Sequence, residues 1–283
     1  MTDPKKRENA RRTKAKGHGR GTRGKPAGKP RRGSPTTVRS DGGLWLYGHH
    51  AVLAALRNPR RQCKLLLATE QALEKLGRAA QRAGLEIRIA APAEIARLLP
   101  PGAAHQGVAL RAAPLSPLAL ERVIAVQPEE SFFLLLDQVT DPRNFGAILR
   151  SAVALGVDAV IVQERRSAEW SGAAAKAASG ALDMIPLVEV VNLARAIERL
   201  KEAGYRVTGL DAGAETPIEE LEPARRRVLV LGSEGEGLRR LVAEGCDERA
   251  RLVIDPRIDS LNVAVAAGIA LYLLRRVRGR PAG

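Results

Sequence analysis

Short apolar runs alternate with helix-like runs through the second half of this 283-residue chain. The apolar runs, such as FFLLL at residues 132–136, carry almost no charge. Strands of this composition are buried on both faces, which is typical of a parallel sheet covered by helices. The alternation therefore predicts an α/β unit over residues 131–277. Its strands are predicted at residues 132–136, 158–162, 205–210, 227–232 and 250–254, and its helices at residues 145–156, 173–182 and 192–204.

A smaller α/β unit is predicted upstream, over residues 44–113, which is long enough to bury a modest core. Residues 114–130 contain three prolines and mixed charge, so we interpret them as a linker between the two units. Within the smaller unit, helices are predicted at residues 49–58, 71–84 and 93–99, and strands at residues 63–68, 85–90 and 107–112.

Positive charge is concentrated at the N-terminus. The chain has a formal net charge of +15, and residues 1–40 hold 14 Lys or Arg against Asp3 and Glu8, a net of +12. This segment is rich in Gly and Pro and has almost nothing apolar to bury, so we predict a disordered basic arm. Such an arm binds a polyanion, RNA above all, because its cations release counterions from the phosphates. A solubility tail and a nuclear-type signal are the alternatives.

Cysteine content and hydropathy limit the setting of the chain. Cys63 and Cys246 are the only cysteines, and neither has a C-x-x-C partner. Neither a disulfide framework nor a structural zinc site is expected, so a cytoplasmic location is predicted. The longest apolar stretch, residues 261–274, is shorter than the roughly 20 residues that a membrane span needs. We expect a buried C-terminal helix there, followed by a basic tail at residues 278–283.

Three polar segments mark predicted strand-to-helix junctions of the larger unit. They are NFGAILR at residues 144–150, LGSEGEGL at residues 231–238 and DSLNVAVAAG at residues 259–268. Ligand sites of open α/β sheets lie at the carboxyl ends of the strands, so the three segments together predict one composite pocket. Taken singly, each also has an ordinary explanation. Asn144, Ser260 and Asn262 would be helix caps, and residues 233–237 a tight turn.

The glycine-rich segment differs from a dinucleotide-binding fingerprint. Its spacing is G-x-x-G-x-G, and Glu234 and Glu236 would repel a pyrophosphate. A ligand with a positive centre would not be repelled, and the sulfonium of S-adenosylmethionine is such a centre. Glycines also let backbone groups approach a ligand closely. The segment therefore favours S-adenosylmethionine over a dinucleotide, with a solvated turn as the alternative.

The ordered segments NFGAILRSA, VLVLGSEGEGL and IDSLNVAVAAGIALY strongly resemble the three motifs of the SpoU (TrmH-like) family of RNA ribose 2′-O-methyltransferases, within the SPOUT class. The resemblance covers residues 131–277. In the smaller unit, WLYGHHAVLAAL and AAHQGVALRA look like the ends of the family's substrate-binding domain, which resembles ribosomal protein L30e. This layout is most like that of the large-subunit (23S) ribosomal RNA guanosine 2′-O-methyltransferases.

The resemblance implies a deep trefoil knot in the C-terminal unit and a homodimer in which each site borders the partner subunit. It implies S-adenosylmethionine as the cofactor and no metal. The histidines of the smaller unit, His49, His50 and His105, show no metal-ligand pattern. By the same match, the residues that would contact the donor are Gly232, Leu252 and Leu261. The catalytic group would comprise Asn144, Arg150, Glu234, Ser260 and Asn262.

Arg150 is implied as the proton acceptor. A guanidinium stays charged far above neutral pH, however, so we expect Arg150 to clamp an RNA phosphate and stabilise developing alkoxide. Asn144 and Glu234 would orient Arg150 and the ribose, while Ser260 and Asn262 would shape the loop around the donor. The chain departs from the family pattern at Ala264, where relatives usually have serine, and the stretch LVIDPRID lacks the glycine usual there.

Two other functions stay open. In the first, the chain is a transfer RNA 2′-O-methyltransferase of the same family. In the second, it is an RNA-binding ribosome assembly factor without catalytic turnover. The separate L30e-like unit favours ribosomal RNA as the partner, since it suits a folded stem-loop. The intact catalytic set argues against a loss of activity.

Overall fold

The computed structural model describes residues 43–164, 178, 180–233 and 235–277. Several predictions from the sequence fall elsewhere. The basic arm, the basic tail, Glu234 and most of the helix predicted at residues 173–182 lie outside the described residues.

A four-stranded sheet forms the smaller part of the fold. The strand order is β1-β4-β2-β3, with β4 antiparallel to β1 and β2, and β2 parallel to β3. Its strands are β1 (Leu44–Tyr47), β2 (Cys63–Ala68), β3 (Glu86–Ile89) and β4 (Val108–Ala112), and its helices are α1 (His49–Arg57), α2 (Glu70–Leu76) and α3 (Pro92–Arg97). The predicted helix at residues 71–84 is too long, because Gly77 adopts a φ of 52° and ends α2.

A six-stranded parallel sheet forms the larger part, as the apolar runs predict. The strand order is β10-β8-β9-β5-β6-β7, and every pair of neighbours is parallel. Its strands are β5 (Ser131–Leu136), β6 (Ala159–Gln163), β7 (Leu187–Val190), β8 (Arg206–Leu210), β9 (Arg226–Leu231) and β10 (Glu248–Ala250). The prediction of a strand over residues 250–254 is largely wrong, since the chain leaves the sheet after a single bridge between Arg251 and Pro217.

Helices cover both faces of this sheet, as predicted. They are α4 (Leu120–Ala125), α5 (Pro142–Ala154), α6 (Leu193–Glu202), α7 (Arg240–Gly245) and α8 (Val263–Val277). One face of β5 packs with α5 and α8, and the other packs with α4 and α6. The segment interpreted as a linker contains α4, because Leu120 and Val123 are buried against the sheet. None of the described helices is long and apolar enough to cross a membrane.

The strand order places a crevice at the carboxyl end of the sheet. From β5 the chain builds β6 and β7 on one side, and then β8 and β9 on the other, with β9 beside β5. Such a switch in direction leaves a crevice between the two central strands, outside their carboxyl ends. Asp137 follows β5 and Gly232 follows β9, so both residues lie at this crevice.

Candidate active site

The first polar segment begins α5 at the crevice. The Asp141 carboxylate accepts a hydrogen bond from the backbone N–H of Arg143 at 2.9 Å and caps the helix, and Pro142 occupies its first position. Asn144 is therefore not the cap. Its half-buried side chain lies inside the first turn, where an amide is available for contacts beyond its own helix.

Asn262 connects α5 to the start of α8. Its Oδ1 accepts a hydrogen bond from the backbone N–H of Ala264 at 3.0 Å, which is the geometry of a helix cap. Its Nδ2 donates to Oδ1 of Asn144 at 3.1 Å. The structure thus brings the first and third polar segments into direct contact, although 118 residues separate the two asparagines.

Small residues allow α5 and α8 to approach each other closely. Ala267 and Ala270 on α8 are fully buried. A Cβ added to Gly268 would lie 3.7 Å from Oγ of Ser151 on α5, which is ordinary van der Waals contact. The close packing holds the amino ends of the two helices at one position, and with them the pair of asparagines.

The glycine-rich segment folds back on itself directly after β9. The backbone N–H of Ser233 donates to the Gly237 carbonyl at 3.0 Å, and the N–H of Gly237 donates to the Ser233 carbonyl at 3.1 Å. A Cβ on Gly232 would overlap the backbone of Gly237, so only glycine fits there. Gly235 and Gly237 have φ of 90° and 68°. The loop therefore presents bare backbone at the crevice.

An ion pair between a buried carboxylate and a partly exposed arginine fixes this loop to the ends of two strands. Asp137 is fully buried, and its carboxylate accepts hydrogen bonds from the backbone N–H of Arg239 at 3.1 Å and from its Nε at 2.7 Å. The Nη2 of Arg239 donates to Oε1 of Gln163, at the end of β6, at 2.9 Å. Neither Asp137 nor Arg239 is among the site residues predicted from the sequence. A carboxylate directly after an uninterrupted apolar strand is the signal that could have indicated Asp137.

The remaining predicted donor contacts lie along the chain between β10 and α8. Leu252 and Leu261 are half-buried, Leu252 against the core, and Ser260 is exposed. In the same segment, hydrogen bonds from the Arg257 side chain and backbone N–H lower the pKa of Asp255 and close a local turn. Gly232 thus lies at the end of β9, at the crevice, whereas Leu252 and Leu261 are partly buried residues of the segment before α8.

Arg150 lies apart from the two asparagines. Its side chain is exposed, and it forms no hydrogen bond or ion pair with any residue that the structure describes. Six positions along an α-helix correspond to a rotation that leaves Arg150 about 120° away from Asn144 around α5. One copy of the chain therefore leaves this guanidinium pointing outward, available to a phosphate or to another protein surface.

Two further predictions concern the orienting carboxylate and metal binding. Glu234, the predicted orienting carboxylate, lies outside the described residues. Among the residues that are described, no group of three or more His, Cys, Asp or Glu side chains has the geometry to hold a metal ion.

Comparison with known families accounts for this arrangement. A model of the SpoU rRNA Methylase family matches residues 131–272, which contain all three polar segments and the Asp137–Arg239 pair. A second model, described as RNA 2′-O ribose methyltransferase substrate binding, matches residues 45–118. The chain belongs to the SpoU rRNA methylase family.

Individual SpoU relatives match over almost their whole length. The chain is 38% identical over 245 residues to the 23S rRNA (guanosine-2′-O-)-methyltransferase RlmB of Yersinia pestis, covering 83% of this chain and 97% of that protein. It is 39% identical over 240 residues to RlmB of Salmonella typhimurium, covering 82% and 98%. An AdoMet-bound rRNA methyltransferase from Sinorhizobium meliloti is similar in structure, with a TM-score of 0.70, 26% identity and coverage of 83% and 87%.

Proposed function

We propose that this protein transfers a methyl group from S-adenosylmethionine to a ribose 2′-hydroxyl of RNA, specifically of a guanosine in 23S ribosomal RNA. The observation that carries the proposal is the Asn144–Asn262 hydrogen bond, which joins the first and third polar segments, while the second segment folds back on itself directly after β9. The similarity to RlmB proteins along the full length of both units supports the choice of substrate.

The crevice fits the donor chemically. S-adenosylmethionine supplies a methyl group that is already activated on a sulfonium. The exposed Gly235 and Gly237 have no neighbour within 4 Å on the side where a Cβ would be, which leaves room for backbone groups to contact its adenine and ribose. Leu252 and Leu261 would add backbone contacts from the segment before α8. The two glutamates in this segment, Glu234 and Glu236, suit the positively charged sulfonium. They would repel a pyrophosphate, which is an anion.

The proposed catalytic residues position the ribose and stabilise charge. In methyl transfer the 2′-oxygen bonds to the methyl carbon as the bond from that carbon to the sulfonium sulfur breaks, which leaves S-adenosylhomocysteine, and the hydroxyl proton is released to solvent. The hydroxyl must therefore be oriented and its developing negative charge stabilised. The charged Arg150 guanidinium is proposed to clamp an adjacent phosphate and provide that stabilisation. Asn144 and Glu234 would orient the ribose, and Ser260 and Asn262 would shape the loop over the donor.

A homodimer completes the proposal. Val265, Ile269 and Tyr272 on α8 are 52%, 40% and 53% exposed. Their spacing of four and three residues places them on one face of the helix. We propose that a second copy covers this apolar stripe and brings its own residues to the outward-facing Arg150.

A trefoil knot in the C-terminal unit belongs to the same proposal. Two observations support it. The strand β9 lies between β8 and β5, and the last helix, α8, returns to pack on α5 after the long segment that follows β10. Such a knot is built when strands that come late in the sequence are inserted in the middle of the sheet and the chain then passes back across them.

The smaller unit is the proposed contact for folded ribosomal RNA, with the basic arm adding affinity that depends on salt. Incubation with a labelled methyl donor and separate pools of ribosomal and transfer RNA tests the whole proposal. We expect label in 23S ribosomal RNA, at a guanosine 2′-oxygen. Label in transfer RNA alone would support the transfer RNA enzyme, and label in neither pool would support an assembly factor without turnover.

A further inference from the structure

A buried ion pair joins the two parts of the fold. Arg61, in the loop after α1, donates from Nε to Oδ1 of Asp183 at 2.8 Å and from Nη2 to Oδ2 at 3.0 Å. The two side chains are only 1% and 2% exposed. Asn58 donates to the same carboxylate at 3.0 Å, and Nη1 of Arg61 donates to the Ala113 carbonyl at 3.0 Å. A bidentate ion pair that is shielded from water and held by further hydrogen bonds fixes the relative orientation of the two segments that carry it.

The backbone around Gly180 holds the same boundary. Gly180 has a φ of 91°, and an added Cβ would lie 2.7 Å from Cβ of Ala54 and 2.8 Å from the carbonyl oxygen of His50. Its backbone therefore lies directly on α1. The 3₁₀ turn Ala181–Asp183, which follows, packs against α1 and also against α5. Residues 180–183 thus connect the smaller unit to the helix that carries Asn144 and Arg150.

The hydrophobic core continues across this boundary. A single cluster of buried side chains contains Val52 and Leu56 of α1, Leu182 of the 3₁₀ turn, and Ile148 and Leu149 of α5. All described residues accordingly fall within one compact unit. The smaller part is packed onto the larger one and is not merely tethered by the segment that joins them.

Arg82 stiffens the loop from which Arg61 extends. Its guanidinium donates to the carbonyls of Leu56 at 3.1 Å, Asn58 at 2.8 Å and Arg61. These carbonyls lie at and just after the C-terminal end of α1. Carbonyl groups at a helix end lack partners within the helix, and a cation can supply their hydrogen bonds. The loop is therefore held on the side of the smaller sheet and, through Asp183, on the side of the larger one.

We infer that Asp183 is a positioning residue, which with Arg61 fixes the RNA-binding unit on α5 in one orientation. RNA bound to that unit then reaches Arg150 in one register, so a single nucleotide is presented for methylation. A module on a flexible tether would present several nucleotides. The part of the inference that concerns RNA rests on the proposed function, whereas the fixed orientation rests on the geometry alone.

The orientation is tested first, without any activity. Spin labels at Glu94→Cys on α3 and Glu202→Cys on α6, in a chain with Cys63→Ala and Cys246→Ala, report the distance between the two parts. The double variant Arg61→Met with Asp183→Leu removes both charges together, which preserves folding more often than leaving one buried charge unpaired. Asp183→Asn, which keeps the size of the side chain, is the second variant if the double variant does not fold.

Labelled chains are diluted into an excess of unlabelled chains, so that distances between two copies of the proposed dimer do not contribute. We expect a single narrow distance in the parent and a broadened distribution in the folded variant. Glu129→Gln is the matched control, because it removes an ion pair with Arg225 whose side chains are 84% and 72% exposed, and its distance should stay narrow. An unchanged narrow distance in a folded variant would overturn the inference.

Turnover then separates positioning from a merely structural role. We expect KM for ribosomal RNA to rise roughly tenfold or more and methylation to spread to neighbouring nucleotides, because small misplacements of a substrate are costly. KM for S-adenosylmethionine should not change. A lower melting temperature with both KM values and the modified position unchanged would refute the positioning role. If the parent methylates no RNA, the proposed function fails, and the label distances still decide whether the joint is fixed.

Discussion

At the scale of single residues, Asn262 combines a structural and a functional contact that one substitution separates. Asn262→Asp keeps the oxygen that caps α8 but loses the Nδ2 donor to Asn144. We expect near-normal stability with turnover reduced roughly a hundredfold, whereas Asn262→Ala should also lose about 1 kcal/mol of unfolding free energy. Thermal unfolding and methyl-transfer rates measure the two effects. Full turnover in a folded Asn262→Asp protein would show that the amide–amide bond is dispensable.

Arg239 offers a second test at this scale, with a control beside it in the chain. Arg239→Ala leaves the fully buried Asp137 carboxylate without its side-chain partner and frees the glycine loop. We expect a loss of about 3 kcal/mol of unfolding free energy and a higher KM for S-adenosylmethionine. Arg240→Ala breaks only the exposed pair with Glu244, so it should change unfolding by less than about 0.5 kcal/mol and leave KM as it is. Equal effects of the two substitutions would contradict the role given to Arg239.

At the scale of elements, a polar network ties the amino ends of β8, β9 and β10 together. Burial alone would raise the pKa of Glu248, but hydrogen bonds from Thr208 and Arg227 and the charge of Arg227 outweigh it and lower that pKa. A lowered pKa means that the contribution to stability is complete above the ordinary value of 4.5 and is lost as pH falls below it. We expect Glu248→Gln to lose about 2 kcal/mol at pH 7 and to show a shallower decline in acid. Urea unfolding between pH 3 and 7 tests this, and parallel pH curves would disprove it.

The same elements show how much the sequence could predict. The strand at residues 132–136 is recognisable because it is buried on both faces, so its pattern needs no knowledge of its neighbours. The strand β7 was missed because it is only four residues long and half of it is partly exposed. The candidate site shows the same contrast between features with a local sequence signal and features that depend on the whole fold. Its three polar segments carry a local signal, whereas the contact between Asp137 and Arg239 spans 102 residues and arises only from the strand order.

At the scale of the whole molecule, the proposed homodimer rests on the exposed position of Arg150 and on the apolar stripe of α8. Ile269→Glu places a charge within the stripe, so we expect monomers and a loss of turnover. Val126→Glu, at a position that is 73% exposed on another surface, should change neither property. Light scattering and methyl-transfer rates measure both variants.

If each site draws on two copies, mixing inactive Arg150→Ala and Asn262→Ala proteins should restore part of the turnover, because some mixed dimers hold one site with both residues intact. No recovery in a mixture that demonstrably exchanges subunits would mean that each chain supplies both residues to its own site.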